Sequence, residues 1–252
     1  MAQTNCVQLP QGYSFVAAYM NPATYSWNVP WTTRVLKPDP LIGDFDVYYY
    51  KADWQVWLPS RPTPPPPGFG WMILAPYSFS LCFSNDLPPP ILPVDLPPGF
   101  SLVCCQSMQS ARFEDIVGRP PDAETRLYRF TNSSLWPTNI DDSNFLTFAF
   151  TNGAWSPSNP VVPKYEAVWV LQPPKISNAQ IVSNKFHFDV RTATYATLHV
   201  EYAHALDRAA SWQPLTSFAG WGYMTNVMDD LATNGAPQRL YRLRLAPRWP
   251  TY

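Results

Sequence analysis

The sequence contains little charge. Lys, Arg, Asp and Glu make up 14% of its 252 residues, well below the roughly 25% of an ordinary globular domain. The formal net charge is −1, so the chain lacks the field of Lys and Arg that nucleic-acid binding requires. No apolar run approaches the ~18 residues of a transmembrane helix. We therefore expect neither nucleic acid as a partner nor a membrane span.

Patterns that mark catalytic and metal sites are missing as well. The sequence has no GxSxG, HExxH, Walker A or GxGxxG motif. Its four cysteines form no CxxC pair, which argues against zinc and c-type haem. The histidines, His187, His199 and His204, have no Cys or carboxylate spaced to complete a metal site. We predict no enzymatic activity, no cofactor and no catalytic or metal-binding residue.

Proline and aromatic residues are abundant instead. There are 30 prolines, aromatic residues reach 15%, and apolar residues reach 46%, which excludes disorder of the polar, highly charged kind. Only 10 glycines are present, which excludes collagen. Because proline cannot donate to a β-ladder, the proline-rich runs are expected at sheet edges or outside the sheets, as stiff spacers rather than docking motifs. Short alternating segments between them predict an all-β fold.

An internal repeat organises the first two thirds of the chain. LPQGYSFV (residues 9–16) matches LPPGFSLV (residues 96–103) at an offset of 87, and Trp57 and Trp71 recur as Trp155 and Trp169 at an offset of 98. We predict two related β modules, residues 1–90 and 91–173. Trp57 should be equivalent to Trp155 and Trp71 to Trp169, with all four buried, and the extra residues of the second module should lie around 133–144.

The remainder, residues 174–252, is predicted to form a β-sandwich of immunoglobulin or fibronectin-III type. Its strand candidates are residues 180–183, 185–191, 197–202, 213–218 and 239–245, and Trp212 is a candidate core residue. In the last strand, Leu and Tyr alternate with Arg. This pattern predicts one apolar face and one wet, basic face that carries Arg239, Arg242 and Arg244.

The repeated segments, LPPGFSLV with WSP (residues 155–157) and VWVLQP (residues 168–173), and the tail LHVEYAHALDRAASWQPL, resemble uncharacterised secreted surface proteins of Verrucomicrobia and related bacteria. Those proteins have a duplicated β-module plus a C-terminal immunoglobulin/fibronectin-like sandwich. The resemblance spans nearly the whole chain and implies a location outside the cell, but it offers no catalytic residues to transfer. The first residues, MAQTNC, contain no secretory signal, so a cytosolic protein and a processed secreted chain remain alternatives.

The four cysteines, Cys6, Cys82, Cys104 and Cys105, allow two disulfides, although buried thiols are equally compatible with the sequence. Cys104 and Cys105 are neighbours on a predicted strand, so their side chains should point to opposite faces. One is expected inside the second module. The other is expected to face the first module, where Cys6 or Cys82 would meet it.

Three tryptophans in predicted loops, Trp27, Trp31 and Trp136, are candidate interface residues, because exposed aromatic side chains dominate protein–protein contacts. Residues 1–173 contain nine Lys/Arg and thirteen Asp/Glu, whereas the remainder contains eight and five. Ends of opposite charge favour a head-to-tail contact, with the three arginines on the positive side. We expect a non-enzymatic structural protein that self-assembles, as a filament subunit, at the cell surface or outside the cell. The alternatives are a carbohydrate-binding or adhesion module with a polysaccharide partner, and an accessory subunit of a larger complex.

Overall fold

The computed structural model describes residues 4–17, 30, 33–39, 44–51, 53–54, 56–60, 62–63, 65–84, 90–131, 142–193, 196–205, 211–220, 222–230 and 239–247. The predicted all-β class is confirmed: antiparallel sheets make up this part of the chain, with one short helix, α1 (Phe113–Val117). The strands are, in chain order, β1 Thr4–Leu9, β2 Gly12–Ala17, β3 Arg34–Asp39, β4 Asp44–Lys51, β5 Val56–Leu58, β6 Gly70–Ala75, β7 Phe79–Ser84, β8 Gly99–Cys104, β9 Ala111–Arg112, β10 Arg126–Phe130, β11 Phe145–Thr151, β12 Ala154–Ser156, β13 Val161–Val162, β14 Ala167–Gln172, β15 Ile176–Val182, β16 Lys185–Arg191, β17 Ala196–Ala203, β18 Gln213–Ala219, β19 Met224–Asp230 and β20 Leu240–Pro247.

Two five-stranded sheets share one strand order. The first sheet runs β2-β6-β3-β4-β5 and the second runs β8-β14-β10-β11-β12, so each strand of the first has a counterpart at the same place in the second. The repeated LPxG segment begins both sheets. Its glycine, Gly12 or Gly99, has a φ of 97°, which an L side chain rarely adopts, and this explains why the repeat contains glycine there.

Three apolar layers hold this part together. Between the two sheets lies a core that contains Phe15 and Phe45 of the first sheet and Trp169 of the second, with Phe45 and Trp169 edge-to-face at 6.0 Å. The outer face of the first sheet packs against the β1–β7 pair, and the outer face of the second packs against α1 and residues 94–96. Because strand side chains alternate in direction, β2 and β8 contribute to a layer on each side. Both are fully buried.

The two sheets also exchange backbone contacts. Val16 forms a β-bridge with Glu166, and Val103 forms one with Phe69. Beside these bridges, the amide of Ala17 donates to the carbonyl of Tyr165 at 3.2 Å, and the amide of Cys104 donates to the carbonyl of Gly68 at 2.9 Å. β2 of the first sheet therefore contacts the segment before β14 of the second sheet, and β8 of the second sheet contacts the segment before β6 of the first. This reciprocal arrangement joins the two five-stranded sheets.

The tryptophan of the short strand is equivalent in the two sheets. Trp57 lies opposite Tyr50, and Trp155 lies opposite Phe150. The ring centroids are 5.2 Å apart in the first pair and 5.4 Å apart in the second. Trp57 is buried, as predicted, whereas Trp155 is only half-buried.

The other tryptophan pair differs from the prediction by one residue. Trp71 lies opposite Val16 and packs beneath the β1–β7 pair, whereas Trp169 lies opposite Leu102 and packs between the sheets. In the repeat, Phe15 corresponds to Leu102. Because Phe15 pairs with Met72 and Leu102 pairs with Trp169, Met72 rather than Trp71 is the counterpart of Trp169. A shift of one residue on a strand reverses the face of the sheet. Both indoles are nevertheless buried.

The C-terminal part is a sandwich of two three-stranded sheets, β15-β16-β19 and β18-β17-β20. Its core contains Phe188, Val190, Leu198 and Val200, which alternate with outward-facing polar residues on β16 and β17. β16 has the predicted bounds, whereas β19 was not predicted from the sequence.

Candidate functional site

The arginines of β20 do not form the single basic face that the sequence predicted. Arg242 and Arg244 are exposed, while Tyr241, Leu243 and their neighbour Leu245 pack against the sandwich core. Arg239 precedes the strand and shares the direction of Tyr241, because side chains on a strand alternate. Its side chain is only 4% exposed, so it belongs to the interior. The prediction for Arg239 was therefore wrong.

Arg239 forms a buried ion pair across the sandwich. Its Nη1 contacts Oδ2 of Asp229 on β19, whose side chain is 7% exposed, and the hydroxyl of Tyr241 donates to the same oxygen at 2.7 Å. The guanidinium also stacks on Tyr202, 4.8 Å from its ring centroid. The hydrogen bond with Asp229 raises the pKa of Arg239. Burial, and then the bond to Asp229, raises the pKa of Tyr241 far above its ordinary value. This cluster joins the two sheets of the sandwich. Because Arg239 and Asp229 are buried, it is not available to a binding partner.

Arg242 and Arg244 share one carboxylate. Nε of Arg242 lies 2.6 Å from Oε2 of Glu201, and Nε of Arg244 lies 3.3 Å from Oε1 of the same residue. Burial acts to raise the pKa of Glu201, but the hydrogen bonds from both arginines outweigh it and lower the pKa. Trp212, a predicted core residue, is half-buried under Arg242, whose guanidinium is 4.3 Å from its ring centroid. Glu201 thus offsets one of the two positive charges on the outer face of β20.

A second surface, which the sequence did not reveal, lies at one end of the first sheet. We call it the Trp54 patch. Tyr49 is opposite both Arg34 and Leu58, and Lys51 is opposite Val56, so these side chains share one face. Trp54 lies in the connecting turn, where Nζ of Lys51 is 4.4 Å from its ring centroid. The patch consists of Arg34, Tyr49, Lys51, Trp54, Val56 and Leu58.

The apolar part of the Trp54 patch faces solvent. Trp54 is 66% exposed, Tyr49 43% and Val56 40%. The guanidinium of Arg34 lies 5.3 Å from the Tyr49 ring. The sequence pattern that could have identified the patch is the run of three tyrosines, Tyr48 to Tyr50. Tyr48 and Tyr50 are buried on one face of the strand, so Tyr49 points to the other face and is exposed.

The corresponding end of the second sheet has a different surface. Ala149 is the counterpart of Tyr49, Thr151 of Lys51, Ala154 of Val56 and Ser156 of Leu58, because the paired registers of β11 and β12 match those of β4 and β5. These are small or polar side chains. Arg34 is matched by another cation, Arg126, whereas the aromatic residues and Lys51 are not required by the strand arrangement itself.

Two of the four cysteines form a disulfide. Cys6 and Cys82 lie directly opposite each other on β1 and β7 and form a disulfide. Cys104 and Cys105 remain buried thiols that point into different cores, as their positions on one strand predicted. The expectation that one of them meets Cys6 or Cys82 was wrong, since those two residues bond to each other. Burial raises the pKa of Cys105 to about 11.

The tryptophans predicted at interfaces, Trp27, Trp31 and Trp136, lie outside the described residues. Within the residues that the structure describes, no three His, Cys, Asp or Glu side chains are grouped so that they could hold a metal ion. In the same part of the chain, no helix has the length and apolar character needed to cross a membrane. No protein-family model, curated protein or solved structure matches this chain.

Proposed function

We propose that this chain is a non-enzymatic structural protein that assembles with copies of itself at the cell surface or outside the cell. The exposed Trp54 patch is the observation that carries the proposal. Isolated apolar side chains on a surface are ordinary, but a contiguous apolar group with a polar rim marks an interface. Trp and Tyr, with Arg, are also the residues that contribute most to binding energy at such interfaces.

The architecture suits this role. We propose that residues 1–90 and 91–173 are two copies of one β module, and that residues 174–252 form an immunoglobulin-like sandwich. The shared strand order and the match of Trp57 with Trp155 support the duplication. The sandwich places its first, second and fifth strands in one sheet and its third, fourth and sixth in the other, which agrees with strands A, B, E and C, F of an immunoglobulin domain.

The disulfide supports an extracellular location. Bonds such as Cys6–Cys82 persist in oxidising compartments and are rare in the cytosol. A cross-strand disulfide also ties the N-terminal strand to the layer that covers the first sheet. Such a constraint suits a protein that must stay folded without chaperones.

A carbohydrate-binding or adhesion module is the second candidate. The exposed rings of Trp54 and Tyr49, next to Lys51 and Arg34, favour it, because aromatic faces stack on sugar rings and polar groups at their edge bind hydroxyls. A third aromatic ring, Trp212, is not available to stack on a sugar, because it is half-buried and the guanidinium of Arg242 lies over it. An accessory subunit of a larger complex would use the same patch for an unlike chain.

Sedimentation velocity over a range of protein concentrations, with electron microscopy of the associated material, tests the first proposal. We expect association that grows with concentration and particles with a repeating contact. A protein that stays monomeric at every concentration, yet is retained on a polysaccharide column through Trp54, would establish the second candidate instead. Retention should then be lost in Trp54→Ser and kept in Ala154→Ser, a change at the counterpart of Val56 in the second sheet.

A further inference from the structure

We propose that the Trp54 patch of one copy binds the proline-rich strip, residues 90–95, of a second copy. This inference rests on the proposed function and names the contact through which the copies assemble. The chain presents both surfaces at once, so the contact is heterologous and repeats from copy to copy.

The strip connects the two modules and is exposed at every residue except Val94. Pro90, Ile91, Leu92, Pro93 and Asp95 all face solvent, with Ile91 62% exposed and Leu92 46% exposed. Ile91 and Leu92 are neighbours in the chain and together present a small apolar surface. Val94, in contrast, lies in the core beside α1 and is 4% exposed.

The strip is held in one conformation, with a bend at Pro93, before any partner binds. The side chain of Gln106 clamps the backbone of Ile91 on both sides: the Ile91 amide donates to Oε1 at 2.7 Å, and Nε2 donates to the Ile91 carbonyl at 2.9 Å. The amide of Val94 donates to the carbonyl of Val117, at the end of α1, at 2.8 Å. Because a preorganised segment loses little conformational entropy on binding, the exposed side chains are available at low cost.

The two surfaces match in chemistry. Proline rings and aliphatic side chains pack on the flat faces of exposed Trp and Tyr, and a backbone that is already ordered lowers the entropic cost of binding. The patch offers Trp54 and Tyr49 for Pro90 to Pro93. Its cations, Arg34 and Lys51, are complementary to Asp95 at the end of the strip.

A contact between two Trp54 patches is less favourable. It would bring Arg34 and Lys51 of one copy against the same residues of the other, and like charges placed together oppose association. The second sheet cannot replace the first, since its counterparts are Ala149, Thr151, Ala154 and Ser156. The geometry thus selects one face of one module.

Three variants and a mixing experiment test the contact in the full chain. The patch variant carries Tyr49→Thr and Trp54→Ser, the strip variant carries Ile91→Ser and Leu92→Ser, and the control carries Val161→Ser, an exposed apolar residue outside both surfaces. All five residues are exposed, so circular dichroism and the denaturation midpoint should stay unchanged. Sedimentation velocity then measures association for each protein alone and for the patch and strip variants mixed.

We expect the patch and strip variants each to associate at least about 30-fold more weakly than the original protein, as for loss of a hot-spot side chain. The control should associate normally. The mixture should form a discrete heterodimer that does not grow, because the strip of the patch variant still fits the intact patch of the strip variant. Lys51→Glu should also weaken association, and adding Asp95→Lys to the same chain should restore it.

Other results separate the two proposals. Association that is lost in the patch variant but normal in the strip variant would overturn this inference, and so would association that neither variant changes, while self-assembly itself would stand. A protein that is monomeric at every concentration would overturn both.

Discussion

Trp57 and Trp155 occupy the same position in the two five-stranded sheets, yet only the second uses its indole nitrogen. Nε1 of Trp155 donates to Oε1 of Glu114 on α1 at 3.4 Å. Nε1 of Trp57 is buried and meets no acceptor among the described residues. The two sheets therefore have the same ring at one position but surround it differently, with a helix beside the second sheet and the β1–β7 pair beside the first.

Trp57→Phe should be tolerated far better than Trp57→Ala. The phenyl ring keeps most of the buried contacts and removes a buried N–H that lacks an acceptor, so we expect a loss in unfolding free energy below about 1.5 kcal/mol. The alanine variant should lose about 3–5 kcal/mol. Urea denaturation measures both. A loss for Trp57→Phe well above this range would show that the indole nitrogen has a partner after all.

The sequence predicted the all-β class and the start of each module because these depend on local patterns. The LPxG segment indicates a glycine with a positive φ, and the alternating apolar residues after it indicate a β-strand. It did not predict which face Trp71 takes, because one residue inserted in a connection reverses every later side chain without changing composition. Nor did it reveal β19, whose residues MTNVMDD contain few apolar side chains in alternation.

The cluster of Arg239, Asp229 and Tyr241 makes the sandwich sensitive to a single substitution. Asp229→Asn should lower the unfolding free energy by about 3–5 kcal/mol, since it leaves the Arg239 charge buried without its partner. Replacing Arg239 by Met and Asp229 by Leu together should recover much of that loss, because an apolar pair of similar volume needs no compensation. Arg242→Gln, at an exposed pair, is the control and should cost at most about 1 kcal/mol. A double variant as unstable as the single one would contradict this account.

Alkaline pH should weaken the same cluster. The pKa of Tyr241 is raised in the folded protein above its ordinary value of 10.0, so folding favours the protonated hydroxyl. The stabilisation is complete below that ordinary value and declines as the pH rises above it, because the unfolded chain then releases the proton more readily. Tyr241→Phe should flatten the decline of stability above about pH 10. Denaturation midpoints of both proteins across this range provide the measurement, and parallel curves would exclude Tyr241 as the cause.

Less of the candidate site than of the fold could be read from the sequence. Arg239 was placed on the wet face although it has the same parity as Tyr241 and Leu243, since arginine is ordinarily exposed and its partner Asp229 lies on a different strand. The Trp54 patch depends on which end of the first sheet the second sheet leaves uncovered. That is a property of packing between modules, which no local pattern records.

The disulfide gives a test of the compartment and of the pairing. Cys6→Ser with Cys82→Ser should lower the unfolding free energy by about 2–5 kcal/mol, because the bond closes a long loop in the unfolded chain; the two residues are 76 apart in sequence. In the native protein, Cys104 and Cys105 are buried and should react with an alkylating reagent only after unfolding. Mass spectrometry without reduction should find one intact bridge and two alkylated thiols. Four alkylated thiols would indicate a reducing compartment.

Gly70 tests the contact between the two modules. A methyl group there would meet the methyl of Ala167 and lie 2.7 Å from the carbonyl oxygen of Val16, so Gly70→Ala should cost about 1–3 kcal/mol of unfolding free energy through overpacking. Ala167 is the counterpart of Gly70 in the second sheet, since Ala17 pairs with Gly70 as Cys104 pairs with Ala167. Adding Ala167→Gly removes one of the two clashes and should recover part of the loss, which urea denaturation of the single and double variants measures. If the effects of Gly70→Ala and Ala167→Gly are simply additive, the two methyl groups do not occupy the same space. The inferred close contact between the two sheets at Gly70 would then be wrong.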